Sequence, residues 1–534
     1  MSQSVSRRNF VTAGSIAMAG MAAVASAAAS TASADEAAGA TAPDYDVIIV
    51  GAGLAGLATG VRLLENGVPS VLIVTKGDGA GAGANSSVAG GQFLIPMEDT
   101  DEGVEMFYEA FMLKSEGKGR EDLSRLIAQN AQGANAWLQD HGCEFTEAVQ
   151  VKPYNILAVN AAPGAGVGMP TLIAQMDSEY QALGGQMLSN AKLLDFTVDE
   201  KGAVSGVKVR TEDGIQHLTA ANTVVATGGY LGNKQLMEQW CGADGDQIIV
   251  RGHKTLTGDG LLAAERVGGM QYTMGGIQES LHIAPVPPTM PALCPFASAQ
   301  YTVVVNTQGQ RFVDEALGYV AIGKAAYNQP GQTHALIFDS ATLENVGVLK
   351  SDVEKFGNFG IPVAQADTIE NLAEQIGVDP VTLVATIDGY NAAVSGEATE
   401  GKTVRGEELE YVSGDTPEAI AELMGVDPAG LAATIEAYNA AVDAGFDPDF
   451  GRQPTVKLEP PFVAMPVTPC SIITYGGIAR NAVGEVVRAD GTSIPGLFCA
   501  GETSCNSAFM GFTISNAITW GRIAGAGAAQ FATA

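Results

Sequence analysis

Three glycines open the chemical reading of this chain. Gly51, Gly53 and Gly56 stand in "GAGLAG", directly after the apolar run "YDVIIV" (Tyr45 to Val50) and before "LATGVRLLENG". A turn without Cβ atoms lets backbone N–H groups and the start of a helix close on a diphosphate. Alone, G-x-G-x-x-G is weak; between a buried strand and a helix it points to a dinucleotide pyrophosphate. At the far end, "AGETSCNSAFMGFTISNAITWGRIAG" (Ala500 to Gly525) is rich in small residues and holds one base, Arg522. It has almost no charge with which to grip an ionic ligand.

The elements that must position these residues are readable on either side. "YDVIIV" is a continuous apolar run bounded by glycine, the pattern of a strand buried on both faces of a parallel sheet. "SVLIVTK" (Ser70 to Lys76) reads as the next strand, so the glycines occupy the first turn of a β-α-β unit. The residue that usually binds a ribose hydroxyl at the end of that strand is acidic. Here, 19 residues after Gly56, it is Thr75, a weaker partner than a carboxylate.

The chain has 534 residues, room for two or more domains. Hydrophobic residues make up 46% and charged residues 16%, a globular composition. The formal charge of -31 argues against a nucleic-acid partner, which needs a basic surface. "SRRNFVTAG" (Ser6 to Gly14), the Ala-rich run after it and "TASA" ending at Ala34 read as a twin-arginine export signal over residues 1–34. Residues 35–43 read as a linker. The apolar run is short for a membrane span, so the mature chain is expected to be soluble on the outer side of the cytoplasmic membrane. The six cysteines show no Cys-x-x-Cys or Cys-x-x-Cys-His, so no haem attachment or zinc site is visible. Export permits a disulfide, and spacing leaves its existence open.

An internal repeat stands apart from this chemistry. "DTIENLAEQIGVDPVTLVATIDGYNAAV" (Asp367 to Val394) matches "DTPEAIAELMGVDPAGLAATIEAYNAAV" (Asp415 to Val442). Each copy reads as a helical hairpin broken at "GVDP", with Asp or Thr capping the first helix and Glu370 or Glu418 as the capping-box partner. We read the pair as scaffold.

Several blocks together make the chain resemble the fumarate reductase/succinate dehydrogenase flavoprotein superfamily, whose relatives include 3-ketosteroid dehydrogenases and urocanate reductases. The blocks are "DYDVIIVGAGLAG", "TKGDGAGAGANSSVAGG" (Thr75 to Gly91), "VVATGGYLGN" (Val224 to Asn233), "TGDGLLAAERVGG", "VVVNTQGQRFVDE" (Val303 to Glu315), "TYGGI" (Thr474 to Ile478) and "IPGLFCAGE" (Ile494 to Glu502). The resemblance implies an α/β fold, a Rossmann-like FAD-binding domain with an inserted α+β capping domain. Its expected parts are 44–245 and 461–534 for FAD and 246–460 for the cap and substrate. It assigns FAD to Gly51, Gly53, Leu54, Ala55 and Gly56 at the pyrophosphate, and to Thr75, Lys76, Asn85, Ser86, Ser87, Gly90 and Gly91 in the loop that follows. It adds Ala226, Thr227, Gly228, Gly229, Asp259 and Gly501, with Glu502 on the ribityl hydroxyls. Ser515, Asn516, Ala517 and Ile518 begin a last helix whose positive end faces the flavin. The small residues of that segment then permit close approach to the flavin. No His lies between Thr75 and Gly91, where succinate dehydrogenases attach FAD, so the FAD is expected to be non-covalent.

Family members that act on dicarboxylates grip them with Arg and His, and this chain departs from that pattern. The resemblance places Phe512 and Tyr319 where two of those arginines stand, and Ile473 at a histidine; His282 is displaced from another histidine position. A carboxylate buried without partners costs several kcal/mol, on the order of what a buried ion pair needs to recover. Phe512, Tyr319, Tyr475, Phe509, Met510 and the lip "APVPPTMP" (Ala284 to Pro291) are expected in the clamp's place. By resemblance Gly511 offers its amide to a carbonyl oxygen, as in ketosteroid dehydrogenases. Tyr319 is expected as proton donor or acceptor, with His282 or Tyr475 as second. The reading is a C=C reductase of an apolar or aryl substrate, closing an anaerobic respiratory chain with a separate cytochrome or membrane quinol system as electron source. A dehydrogenase running the reverse reaction, a fumarate- or urocanate-like carboxylate reductase and a flavin-binding sensor stay open as alternatives. No metal is expected.

Overall fold

The computed structural model describes residues 42–115, 119–151, 156–163, 168–242, 245–283, 301–306, 311–315, 319–329, 334–339, 344–346, 412–444, 462–505 and 512–532. The proposed export signal, the first copy of the helical repeat, the Pro-rich lip and residues 506–511 lie outside them.

In chain order the strands and helices that matter are β1 (Tyr45–Val50), α1 (Leu54–Glu65), β2 (Val71–Val74), β3 (Gln92–Pro96), α2 (Asp101–Lys114), α3 (Glu121–Asp140), β4 (Val149–Val151), β5 (Ile156–Asn160) and α4 (Gly168–Ala182). They continue through β6 (Gln186–Leu188), β7 (Lys192–Val198), β8 (Val204–Thr211), β9 (Gly214–Val225), α5 (Lys234–Cys241), α6 (Asp259–Arg266), β10 (Gln271–Ile283), β11 (Val303–Val305), α7 (Tyr319–Tyr327) and β12 (His334–Asp339). The last are β13 (Val412–Gly414), α8 (Pro417–Met424), α9 (Pro428–Ala444), β14 (Phe462–Ile478), β15 (Glu485–Val487), β16 (Ser493–Cys499), β17 (Ser504–Cys505) and α10 (Phe512–Ala532).

An eight-stranded sheet runs in the order β15-β16-β9-β1-β2-β6, with β7 and β8 continuing from β9. β1 is parallel to β2 and to β9, with Val50 opposite Val74 on one side and Val225 on the other. Both its neighbours hydrogen-bond to it and helices cover its faces, so Val47, Ile48 and Ile49 have no exposed surface. Full burial of such a side chain contributes about 1.5–3 kcal/mol, which is why the apolar run needed no alternation. A second sheet, β10-β14-β12-β11, takes β13 and β17 on β14. β3, β5 and β4 form a small antiparallel third sheet.

α1 leaves the sheet and packs against α10. Thr59 Oγ1 donates to Ala55 O at 2.8 Å and lies 3.1 Å from Gly521 O on α10. A Cβ on Gly521 would stand 2.6 Å from Ala55 O, and one on Gly525 2.9 Å from Thr59 O. The glycines of the closing segment therefore bring two helix backbones together. Of the small residues expected to approach the flavin, Gly521 and Gly525 instead serve this helix contact. Ser515 also turns away from the expected site: its Oγ accepts from Leu94 N–H at 3.2 Å and donates to Leu94 O at 3.0 Å, fastening α10 to β3.

The second repeat copy forms the expected hairpin. Thr416 caps α8 by accepting from Ala419 N–H at 3.1 Å, and Gly425 closes it in a left-handed conformation at φ +68°. Asp427 accepts from Gly430 N–H at 2.8 Å at the start of α9. Glu418 occupies the second helical position, and the third is Ala419, so the reciprocal half of the capping box is missing. Ile420, Leu431, Ile435 and Tyr438 bury a core of the hairpin's own, and Tyr438 lies under the Arg311 guanidinium at 5.2 Å.

Gly521→Ala tests the helix contact. Backbone atoms meet the new methyl, so the change should cost about 1–3 kcal/mol, as overpacking does. A urea unfolding midpoint equal to wild type would show that α1 and α10 are not in the contact described.

Candidate functional site

A cavity of about 540 Å³ runs between the β1–α1 turn, the loop after β2, Ile472 and Ile473 in the second half of β14, and the first turn of α10. Its floor is the glycine turn. Gly51 has φ +115°, and a Cβ there would stand 2.2 Å from Ala226 O, so glycine is required twice over. Gly53 caps α1 with no side-chain acceptor, no acid stands in the first turn, and Ser86 Oγ accepts from Leu54 N–H at 3.1 Å. The positive end of α1 is therefore left for an anion. Gly51, Gly53, Leu54 and Ala55 line the cavity. Gly56 does not: its missing Cβ would fall 1.9 Å from Gly51 O, so it lets the helix fold back on the turn.

At one end lie Thr75, Lys76, Ala191, Leu193 and Asp259. Thr75 Oγ1 accepts from Gly77 N–H at 3.3 Å. The carboxylate missing from the second strand stands across the gap: Asp259 is 2.8 Å from Lys76 Nζ, 3.3 Å from Lys192 Nζ and 3.0 Å from Thr257 Oγ1. Burial pushes the Asp259 carboxyl up, and the two lysines with Thr257 hold it below its usual range on balance. Lys192, Ala191 and Leu193 escaped sequence reading because β7 belongs to an antiparallel excursion with no motif of its own.

In the middle, Ala226, Thr227, Gly228, Gly501 and Glu502 reach the cavity. Glu502 accepts from Thr474 N–H and from Asn85 Nδ2, each at 3.1 Å, and lies 3.4 Å from Thr474 Oγ1. Burial pushes its carboxyl up to about 7, against the opposing pull of those hydrogen bonds. Gly229 does not line the cavity; a Cβ on it would stand 2.4 Å from Glu502 Oε1 and 2.1 Å from Thr474 Oγ1. Its role is to leave room for the carboxylate.

The other end gathers Asn85, Ser86, Ser87, Gly90, Gly91, Asn516 and Ala517, with Gln92, Ile472, Ile473 and Thr513. Asn516 is 2% exposed and its Oδ1 has no hydrogen-bond partner. An orphaned buried acceptor on a cavity wall fits a ligand carrying an N–H or O–H. Ile518 is fully buried in the core rather than in the wall. A histidine does stand beside this loop: His253 Nε2 is 3.5 Å from Ser87 Oγ.

The expected catalytic residues are less gathered. Tyr475 lies in β14 opposite Gly276, its carbonyl accepts from Tyr230 Oη at 3.3 Å, and it is not among the cavity-lining residues. Tyr319 begins α7, and His282 sits in β10 opposite Thr468; their side chains lie outside the described residues. Gly511, Phe509 and Met510 lie outside them altogether. Phe512, expected in the substrate space, is fully buried edge-on to Phe107 and Phe111 at 5.1 and 4.9 Å. An aromatic side chain at the head of α10 gains more by filling the gap above α2 than by facing a cavity. Ile473, by contrast, is on the cavity wall. Arg480 was missed: a lone base in an apolar stretch, it is 1% exposed, stacks on Trp520 at 3.7 Å and donates to Ser504 O at 2.5 Å. Among the described residues no His, Cys, Asp and Glu cluster suits a metal, and no helix is long and apolar enough to cross a membrane.

A long cavity with an open helix end, a carboxylate at each of two depths and an orphaned amide oxygen is the shape of a dinucleotide site, and the sequence profile named "FAD binding domain" matches residues 46–513. The chain belongs to that family. Within it the protein is a member of the fumarate reductase/succinate dehydrogenase flavoprotein superfamily. It is 26% identical to an NADH:fumarate oxidoreductase of Klebsiella pneumoniae, over 93% of this chain and 49% of that one, and so spans about half that relative's length. It is 25% identical to a vinyl phenol reductase of Lactiplantibacillus plantarum, over 91% of this chain and 97% of that one. The structure of a 3-ketosteroid delta1-dehydrogenase from Sterolibacterium denitrificans has the same fold, with a TM-score of 0.68 and 20% identity over 91% of this chain and 99% of that one. FAD fits the residues present: the α1 amides for its pyrophosphate, Asp259 and Thr75 for its adenosine end, Glu502 for hydroxyls, Asn516 for a ring N–H.

Glu502 carries a pH signature in the apoprotein. Its folded carboxyl titrates near 7, above the ordinary 4.5. The folded state is therefore penalised progressively as pH rises from about 4.5 through 7, by on the order of 3 kcal/mol at most. Glu502→Gln should raise the apoprotein Tm at pH 8, with the gain shrinking towards pH 4.5. A gain independent of pH would mean that the carboxyl is not buried as described.

Proposed function

We propose that this flavoprotein reduces the C=C bond of an α,β-unsaturated, largely apolar or aromatic substrate, its FAD supplying a hydride from N5. The observation that carries the proposal is the chemistry at the positions where relatives grip a diacid. Ile473 is an apolar side chain on the cavity wall, and Phe512 is locked between two phenylalanines. A dicarboxylate brought there would find neither cation. Similarity along nearly the whole length of a vinyl phenol reductase supports an aryl-conjugated alkene.

On this reading the chain's own residues divide the work. The α1 amides, Asp259 and Glu502 hold and orient FAD, without a covalent bond. Ile472 and Ile473 keep water from the reacting face, which strengthens every remaining electrostatic interaction. Tyr319, at the head of α7, gives the proton that completes reduction, with His282 or Tyr475 assisting and the Gly511 amide on the carbonyl oxygen. Residues 44–245 and 461–534 serve FAD, and residues 246–460, which also lend Asp259 to FAD, serve the substrate. The twin-arginine segment supports export of the folded protein, and a separate cytochrome or membrane quinol system delivers electrons.

The test is anaerobic. The yellow protein is reduced with viologen and offered vinyl phenols, enones, acrylates and fumarate. Reoxidation by the aryl and enone substrates is expected; fast turnover of fumarate alone overturns the proposal, as does a colourless protein. Tyr319→Phe should lower turnover by about 100-fold or more, the usual worth of a positioned acid, with the flavin spectrum intact. An undiminished rate removes Tyr319 from the reaction.

A further inference from the structure

One titratable side chain beside the cavity has no part in the scheme above. His253 lies in the segment between β9 and α6, half-buried, with its Nε2 3.5 Å from Ser87 Oγ. Ser87 lines the cavity and donates its own proton to Ala84 O at 2.8 Å. The free lone pairs of that hydroxyl are what remain for an imidazole N–H. His253 thus meets the back of the cavity wall through one hydroxyl, while Lys254 and Thr255 beside it are exposed to water.

The backbone that carries His253 is held in place. Its backbone N–H donates to Asn85 Oδ1 at 2.8 Å, and Asn85 in turn donates to Glu502 and to Ile472 O. A Cβ on Gly252 would stand 2.2 Å from Ile472 O, so the segment is pressed against β14. Thr255 Oγ1 donates to Gly83 O at 2.5 Å on the far side. Both flanks of His253 are tied to the loop that walls the flavin end of the cavity.

Burial holds the His253 pKa below its ordinary value, which favours the neutral ring. Of the groups around it, Glu502 also titrates near 7 and would share the uptake of a proton, so the test below removes it. The facing loop residues Gly83, Ala84, Asn85, Ser86 and Ser87 do not titrate, nor do Ile472 and Ile473. Arg251 and Lys254 flank it on its own segment, Glu502 lies beyond Asn85, and Lys76 with Asp259 lies beyond Thr257. Among the described residues no carboxylate pairs with the ring.

We propose that His253, acting through Ser87, is a redox-linked proton acceptor: it takes a proton from solvent when the cavity gains negative charge and gives it back when that charge leaves. The proposal rests on the flavin reading of the cavity. An external electron carrier delivers two electrons, and one proton enters at flavin N5, which leaves one negative charge in the cavity. A negative charge beside a neutral imidazole raises its pKa, so His253 takes a second proton. When the hydride leaves for the substrate carbon the negative charge is gone, and His253 returns its proton. The net reaction still consumes two electrons and two protons, both added to the C=C bond. His253 is a positioning residue for charge rather than a group that touches substrate.

The midpoint potential of the bound flavin, followed by absorbance against redox dyes between pH 5.5 and 8.5, tests this. Wild type should show a window in which two protons accompany each electron pair, flanked by regions of one. His253→Gln, made together with Glu502→Gln so that the second titrating carboxyl is absent, should show one proton per pair throughout, with its oxidised flavin spectrum retained. The same window in the variant, or its absence from wild type, overturns the proposal while leaving the flavin reading standing. Should the variant fail to fold, histidine-selective NMR of the wild-type holoprotein, which has five histidines, gives the same decision. The His253 pKa must rise on reduction, and an equal pKa in both states refutes the coupling. A protein that binds no flavin at all would instead sink the proposed function.

Discussion

A carboxylate taken out of water has to be surrounded by donors, and in this chain that requirement gathers the whole site. Glu502 draws on Asn85 of the loop after β2 and on the backbone and hydroxyl of Thr474 in β14. Gly229, after β9, has no side chain so that the carboxylate can occupy the space. Asn85 lies 417 residues before Glu502 and Thr474 only 28 before it, yet each belongs to a different piece of the fold. Were any one displaced, the charge would lose a donor in a low-dielectric setting, where an unmet charge is costly. The long cavity is the space left when all of them converge.

What sequence made legible was whatever depends on neighbours along the chain. β1, α1 and β2 announce themselves by an unbroken apolar run, glycine spacing and a helical period, and the open helix end follows from local backbone alone. The second hairpin was legible for the same reason, since Thr416 and Gly425 act within one turn. Partners across space were not. Asp259 was legible in its family block, but that it shares the Thr75 end of the cavity and pairs with Lys192 was not visible until β7 was placed alongside. Position in a family block also misled. Ser515 and Ile518 share a helix turn with Asn516, but a helix presents only one side to a cavity, and theirs face β3 and the core. Phe512 followed its size into the gap above α2 instead of following its alignment.

Arg480 shows a different limit. Nothing in "GGIARNAVG" distinguishes a buried base from a solvated one. Its burial is explained only by Trp520, forty residues on, which gives the guanidinium a face to stack upon. With the Ser504 contact it fixes the place where β17 leaves β14, the start of the path towards residues 506–511.

The touch between Thr59 and Gly521 spans 462 residues of chain. During synthesis the face of α1 that packs on α10 therefore emerges early and stays uncovered until Gly521 and its neighbours have been made. A nascent chain in that condition is an aggregation hazard, and such long-range closure is slow to form.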